Sequence, residues 1–209
     1  MPDIGVVGGG YVGTVLAACL ASLGRDVVAV ESAPERLHLL QAGTPHFYEE
    51  GLPELLAAGI EAGSLKFTDR TNAISQCSVI FLCVGTPPRP DGYPDMTAMK
   101  SAIDDLGPRL NGSTVLVLKS TVPLGSGSWL LDTVQTMLQS AAEGASVSVV
   151  SNPEFLREGT AVNDFLYPAR IVLGSGNDAA IDAVLSVYQP LVDQSFEGGD
   201  PEHKPRIIR

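Results

Sequence analysis

The chain has 209 residues, 44% apolar and 18% charged, which suffices for one globular domain with a core that needs no disulfide staples and is too short for two full domains. Its 24 acidic residues against 13 Lys plus Arg give a net charge of −11, which excludes nucleic acid or an anionic membrane as the main partner while leaving room for a phosphate held by local dipoles. No apolar run approaches the roughly 18 residues of a membrane span, no basic leader opens the chain, and Cys19, Cys77 and Cys83 lack metal or redox spacing, so the expectation is a soluble, cytoplasmic protein with reduced thiols and no metal.

Short apolar runs alternate with helical periodicities from the start, the pattern of an α/β domain of Rossmann type: a doubly wound, mainly parallel sheet with helices on both faces. A strand is expected at 4–7. In the helix that follows, Val12, Val15, Leu16, Cys19, Leu20 and Leu23 recur at helical spacing, and Gly24 supplies the stop. Strand 27–30 leads to helices at 34–40 and 52–61, where Pro34 and Pro53 suit first-turn positions. A weaker strand at 65–68, a strand at 79–84, a helix at 96–106, a strand at 115–118 and a helix at 126–139 come next. Strands at 147–150 and 170–173 and a helix at 178–187 complete the order. From Ser195 the chain is polar and holds Gly198, Gly199, Pro201 and Pro205, the composition of a linker.

Gly8, Gly10 and Gly13 form G-x-G-x-x-G between the first strand and the first helix. In that context the first glycine permits the turn, the second lets backbone approach a pyrophosphate, and the third allows helix and strand to pack closely. Glu31 closes the second strand 18 residues past Gly13, where a carboxylate accepts hydrogen bonds from the ribose hydroxyls of a dinucleotide and repels a 2′-phosphate. That favours NAD over NADP, although Arg36, five residues on, is placed to attract a phosphate instead.

Three further segments fall where strands end, the edge at which an open α/β sheet binds ligands. They are Cys83-Val84-Gly85-Thr86-Pro87-Pro88, Lys119-Ser120-Thr121-Val122-Pro123, and Ser151-Asn152-Pro153-Glu154-Phe155-Leu156-Arg157-Glu158-Gly159. Together with the glycine loop they carry a resemblance to the UDP-glucose/GDP-mannose dehydrogenase family, specifically its amino-terminal NAD-binding domain. The likeness runs from Met1 to about Leu191 and is most like the UDP-glucose branch. Ala169 and Glu50 depart from the family's pattern, which carries Asp and Pro there.

The resemblance implies a two-step oxidation of a sugar-nucleotide primary alcohol to a carboxylate, with two NAD consumed and a cysteine thioester formed on the way. It implies residues 1–193 as the NAD-binding domain and 194–209 as a linker toward a central helix and a C-terminal domain. By motif, Glu31 and Arg36 would hold the adenosine ribose, Gly8, Gly10, Tyr11, Val12 and Gly13 the pyrophosphate, and Val84, Gly85, Thr86, Pro87 and Pro88 with Ser120 and Thr121 the rest of the NAD. Glu158 would sit beside the nicotinamide. Thr121 would position a water and Glu154 would act on it as acid and base, a pairing suited to thioester hydrolysis. Glu154, Phe155, Leu156, Arg157 and Glu158 would also touch the sugar of UDP-glucose or a related sugar nucleotide. GDP-mannose, a UDP-N-acetylhexosamine, and a non-catalytic NAD-binding module are the alternatives. The family's nucleophilic thiol lies in a Gly-x-Cys-Phe-Pro segment that this sequence lacks, and its three cysteines read as buried and structural. Arg206-Ile-Ile-Arg209 resembles the stretch before the central helix, through which a full-length homodimer is expected.

Overall fold

The computed structural model describes residues 3–141 and 144–209. Six strands, β1 (Ile4–Val7), β2 (Val27–Val30), β3 (Leu65–Thr68), β4 (Val79–Leu82), β5 (Ser113–Leu118) and β6 (Ser146–Ser151), form one sheet in the order β3-β2-β1-β4-β5-β6. Every pairing is parallel. The order reverses between β1 and β4, so the crevice of a doubly wound sheet opens at the carboxyl ends of these two strands. The expected Rossmann architecture is what the chain adopts.

Alternation along the strands divides the core in two. Ile4, Val6, Phe81, Val117 and Val150 face one side, with helices α1 (Tyr11–Ser22), α3 (Leu52–Glu61), α6 (Ala161–Leu166) and α7 (Asp178–Val187). Val7, Ile80, Leu82, Leu116 and Leu118 face the other, with α4 (Thr97–Leu106) and α5 (Ser126–Ala141). The sequence reads α1 as one apolar stripe, but every residue from Gly13 to Ala21 is buried. The reason is that α1 lies between the sheet and the outer helices α3 and α6, so a helix surrounded on all sides is apolar on all sides. Helix α2 (Pro34–Gln41) contrasts with it, burying Leu40 alone among its residues.

The carboxyl-terminal third departs from expectation. Strand β7 (Arg170–Val172) stands outside the main sheet and pairs in parallel with β8 (Arg206–Ile208), inside the segment read as a linker. Between them the chain is tied down. Gln194 is buried and donates to the carbonyls of Leu166 and Leu191, while its own Oε1 accepts from Asp200 N. Tyr167 donates its hydroxyl to the Gly198 carbonyl, and the His203 ring nitrogen lies 3.0 Å from the Tyr167 carbonyl. Arg206 N donates to Ala169 O at 3.1 Å. Glycine and proline thus mark turns that fold residues 195–209 back onto the domain, not a loose connection. Helices α6 and α8 (Gln189–Asp193), of six and five residues, are too short for periodicity to reveal.

Deleting residues 195–209 is expected to lower the thermal midpoint by about 5 °C or more, since a domain of this size loses about 2–4 °C per kcal/mol. A melting curve unchanged by the deletion would show that the segment is a linker after all.

Candidate functional site

The glycine loop is shaped by contacts that leave no room for side chains. Gly8 turns at a φ of +103°, and its amide still donates to Val30 O at 2.9 Å. A Cβ at Gly13 would lie 1.8 Å from the Gly8 carbonyl oxygen, so α1 touches the turn after β1 backbone to backbone. Gly10 differs: a Cβ there would meet nothing within 4 Å. The fold requires glycine at 8 and 13 and does not require it at 10, so the open space beside Gly10 is a cradle that a methyl group would fill. Gly10 also begins α1 with no side-chain cap and no acid in the first turn, which leaves helix-terminal N–H groups and the positive end of the helix dipole facing that space.

Glu31, 2% exposed, braces the loop from beneath. Its Oε2 accepts from Gly9 N at 3.1 Å, and its Oε1 accepts from Ala33 N at 2.7 Å and from the Arg36 guanidinium at 3.0 Å. Three of roughly four acceptor positions on the carboxylate are therefore filled from within the chain, and the Arg36 charge is matched rather than free for a phosphate. His46 sits in the electrostatic reach of both, its Nδ1 buried without a hydrogen-bond partner among the described residues. Burial, with the Arg36 charge second, pulls the His46 imidazole below its ordinary value.

Past β4 and β5 the predicted segments are stitched to one another. Ser120 donates to the Val84 carbonyl at 2.6 Å and Thr86 donates to the Thr121 carbonyl at 2.6 Å. Gly85 is open on its Cβ side like Gly10. Pro87 and Pro88 lead into a turn in which Pro88 bridges Pro94 and Arg89 N donates to Tyr93 O at 2.8 Å. Four of the predicted cofactor residues, Val84, Thr86, Ser120 and Thr121, are thus tied together on one edge by hydroxyl-to-carbonyl bonds.

The segment after β6 holds the remaining candidates. Glu154 accepts from Leu156 N at 2.6 Å, closing a turn on itself. Thr121 and Glu154 end adjacent strands, as expected, but no hydrogen bond joins their side chains among the described residues. Phe155 is 47% exposed and carries the Arg170 guanidinium 4.4 Å above its ring. The Arg157 guanidinium is engaged by both oxygens of Asp164, at 3.0 and 2.6 Å, which holds the Asp164 carboxyl below and the Arg157 guanidinium above their ordinary values. Leu156 packs against the core and Glu158 is exposed.

Sequence reasoning missed two buried ionisable groups here. Lys119 is buried at the end of β5, donates to Asn152 Oδ1 at 3.1 Å and lies 5.9 Å from the Tyr188 ring centre. Asn152 also accepts from the Tyr188 hydroxyl at 2.7 Å and donates to Val172 O at 2.9 Å. Lys119, Asn152, Glu154, Arg170, Tyr188 and His203 line an open cleft of about 650 Å³. Burial pulls the Lys119 ammonium down to about 8, against the raising influence of Cys83 and Glu154. The other group is Glu49, 2% exposed, which reaches Tyr11 and the Gly159 amide. Its one signal in the sequence was position, beside the Glu50 that departs from the family pattern. The cysteines behave as read. All three are buried, and burial raises the Cys19 thiol strongly, Cys77 to about 11 and Cys83 to about 12. Among the described residues no group of three or more His, Cys, Asp or Glu could hold a metal, and no helix is long and apolar enough to cross a membrane.

Comparison with known proteins supplies the wider frame. The NAD binding domain of the UDP-glucose/GDP-mannose dehydrogenase family matches residues 2–192. UDP-glucose 6-dehydrogenase of Rhizobium meliloti (strain 1021) is 42% identical over 192 residues, covering 90% of this chain and 43% of that protein. UDP-glucose 6-dehydrogenase TuaD of Bacillus subtilis (strain 168) is 40% identical, covering 91% and 41%. Among solved structures, a UDP-glucose dehydrogenase from Pyrobaculum islandicum superposes with a TM-score of 0.85 at 37% identity, over 100% of this chain and 46% of that one. A ternary complex of GDP-mannose dehydrogenase from Pseudomonas aeruginosa gives 0.86 at 29% identity, over 99% and 46%. The chain spans less than half the length of these relatives.

The buried Lys119 generates a stability prediction. Its folded pKa of about 8 lies below the ordinary 10.5, so the penalty for holding the charged form is complete below pH 8. As pH rises from about 8 to 10.5 the unfolded chain keeps the proton longer, and stability from this group climbs. Lys119→Met should therefore stabilise the fold by roughly 1–3 kcal/mol at pH 7, with the gain shrinking toward pH 10, as read by urea unfolding at both values. A loss at pH 7 would mean that the bond to Asn152 outweighs desolvation.

Proposed function

The chain belongs to the UDP-glucose/GDP-mannose dehydrogenase family as its NAD-binding domain, and on that premise we propose that it forms the cofactor half of a UDP-glucose 6-dehydrogenase. The observation that carries the reading is the cradle at Gly10, a glycine that the protein's own packing does not need, set at the switch point of the sheet before an uncapped helix N-terminus. A pyrophosphate fits there against the amides of Gly10, Tyr11 and Val12, with Gly8 and Gly13 holding the loop. The adenosine ribose falls to Glu31, whose carboxylate keeps one acceptor position, and to Arg36. Val84, Gly85, Thr86, Pro87, Pro88, Ser120 and Thr121 border the rest of the cofactor, and Glu158 lies toward the nicotinamide. When bound, NAD takes up the hydride released by the sugar alcohol.

Glu154 and Thr121 stand on neighbouring strand ends, where a water between carboxylate and hydroxyl gains general-base help worth roughly 10²–10⁴ in rate. Phe155, Leu156 and Arg157 present backbone and ring surface toward the sugar. A nucleophile is what these residues lack. The three thiols are buried with their thiolates disfavoured, so aldehyde capture belongs to a C-terminal domain that follows a central helix beyond residues 194–209.

Two substitutions separate cofactor binding from folding. Gly10→Ala places a methyl in the cradle: the melting point without ligand should move by no more than about 1 kcal/mol's worth, or 2–4 °C, while the NAD-induced rise disappears. Gly13→Ala drives a Cβ into the Gly8 carbonyl and should cost ~1–3 kcal/mol before any ligand is added. A Gly10→Ala chain that retains the full NAD-induced rise would remove the glycine loop from the cofactor site. Given UDP-glucose and NAD together, the 209-residue chain should produce no sustained NADH; sustained turnover would show that Cys19, Cys77 or Cys83 acts as the nucleophile.

A further inference from the structure

Glu49 lies outside every segment that the cofactor reading uses, yet its carboxylate is almost fully buried, at 2% exposure. Its bonds run to two separate places. Oε2 accepts from the Tyr11 hydroxyl at 2.5 Å and from Gly159 N at 2.9 Å, and Oε1 accepts from Val162 N at 3.4 Å. The Tyr11 hydroxyl lies also 3.2 Å from the Arg157 carbonyl, and its ring packs against Phe47 at 4.7 Å. Tyr11 is the first residue of α1, directly behind Gly10. Arg157, Gly159 and Val162 belong to the turn that carries Glu154 and Glu158 into α6. A buried carboxylate is stable here only while these donors stay in place, because losing one leaves a charge in a site that water does not reach. Helix α6 has no side-chain cap at Thr160, so Glu49, 113 residues earlier in the chain, is the acceptor at its first turn.

We infer that Glu49 is a positioning residue: through Tyr11 it locks the 157–162 turn to the start of α1, so that a pyrophosphate filling the glycine loop tightens the segment bearing Glu154 and Glu158. The coupling rests on the cofactor reading above; the clamp itself does not. It is reciprocal, because a ligand that fixes the turn must also favour the loop geometry that binds the pyrophosphate.

Hydrogen exchange on the 209-residue chain tests both parts, with ADP-ribose as the probe because it carries the pyrophosphate and lacks the nicotinamide that would touch Glu158 directly. In the wild type, saturating ADP-ribose should slow exchange at the Gly159 and Val162 amides by about fivefold. In Glu49→Ala the same amides should exchange about tenfold faster without ligand, while β4 and β5 stay protected. ADP-ribose, still binding by calorimetry, should no longer slow them. Glu49→Gln, a milder change, keeps an acceptor for Gly159 and turns an N–H donor toward Val162, so Val162 alone should speed up. Unchanged ligand-free exchange in both variants would overturn the clamp. Equal slowing by ADP-ribose in wild type and Glu49→Ala, or bound ADP-ribose with no slowing in the wild type, would overturn the coupling. A wild-type chain that binds neither ADP-ribose nor NAD would overturn the cofactor reading and the coupling with it, and the ligand-free rates would then still decide the clamp.

Discussion

Helix α1 meets the end of strand β1 so closely that a single methyl at Gly13 would sit 1.8 Å from the carbonyl oxygen of Gly8, the residue that follows the strand. That contact sets the rest of the candidate site. It seats α1 against the sheet with its N-terminus at the reversal of strand order, and it forces the intervening residues into a tight turn. Glu31 can then reach back from the end of β2 to bond Gly9 N, and Tyr11 can reach forward to Glu49. A wider separation of helix and strand would break both bonds and displace the uncapped helix end on which the pyrophosphate reading depends.

Buried ionisable side chains hold the carboxyl edge together. Glu31 joins the glycine loop to α2, Glu49 joins α1 to the 157–162 turn, and Lys119, just past β5, joins Asn152, just past β6, and through it Tyr188 and β7. Hydrophobic groups of similar volume would serve stability as well or better, since desolvating a charge costs several kcal/mol before any partner is counted. What charge supplies instead is direction: each carboxylate fixes two backbone N–H groups at once, and the Lys119 ammonium fixes the Asn152 side chain. A site that must hold loops from four strands in one geometry gains more from direction than from burial.

The sheet and most helices were legible because their signals are local. Strands β1, β2 and β4 read as buried apolar runs, the β4 run two residues too long, whereas β3, with Lys66 exposed, gave a weaker signal; α3 and α7 were bounded to the residue. The glycine loop was legible because glycine at 8 and 13 answers to sterics that the sequence states directly. What was not legible depends on partners far along the chain. Glu49 reads as one acid among 24 until folding brings Gly159 to it, and Lys119 reads as a motif residue until its burial is known. Residues 195–209 read as a linker because composition reports turns without reporting what the turns pack against. Thr121 and Glu154 were rightly put on neighbouring strand ends, but the Glu154 turn onto Leu156 N is set by side-chain geometry that spacing does not encode.

The proposed cofactor site puts the pyrophosphate of NAD on the amides at the start of α1. The most direct measurement is an amide NMR titration of the isotopically labelled chain with NAD. The predicted result is that the largest shift changes fall on Gly10, Tyr11 and Val12, with smaller ones on Gly85 and Ser120 and little change at the opposite ends of the strands. Saturable binding whose largest changes fall instead around the cleft lined by Lys119, Tyr188 and His203, with Gly10 to Val12 unmoved, would contradict it.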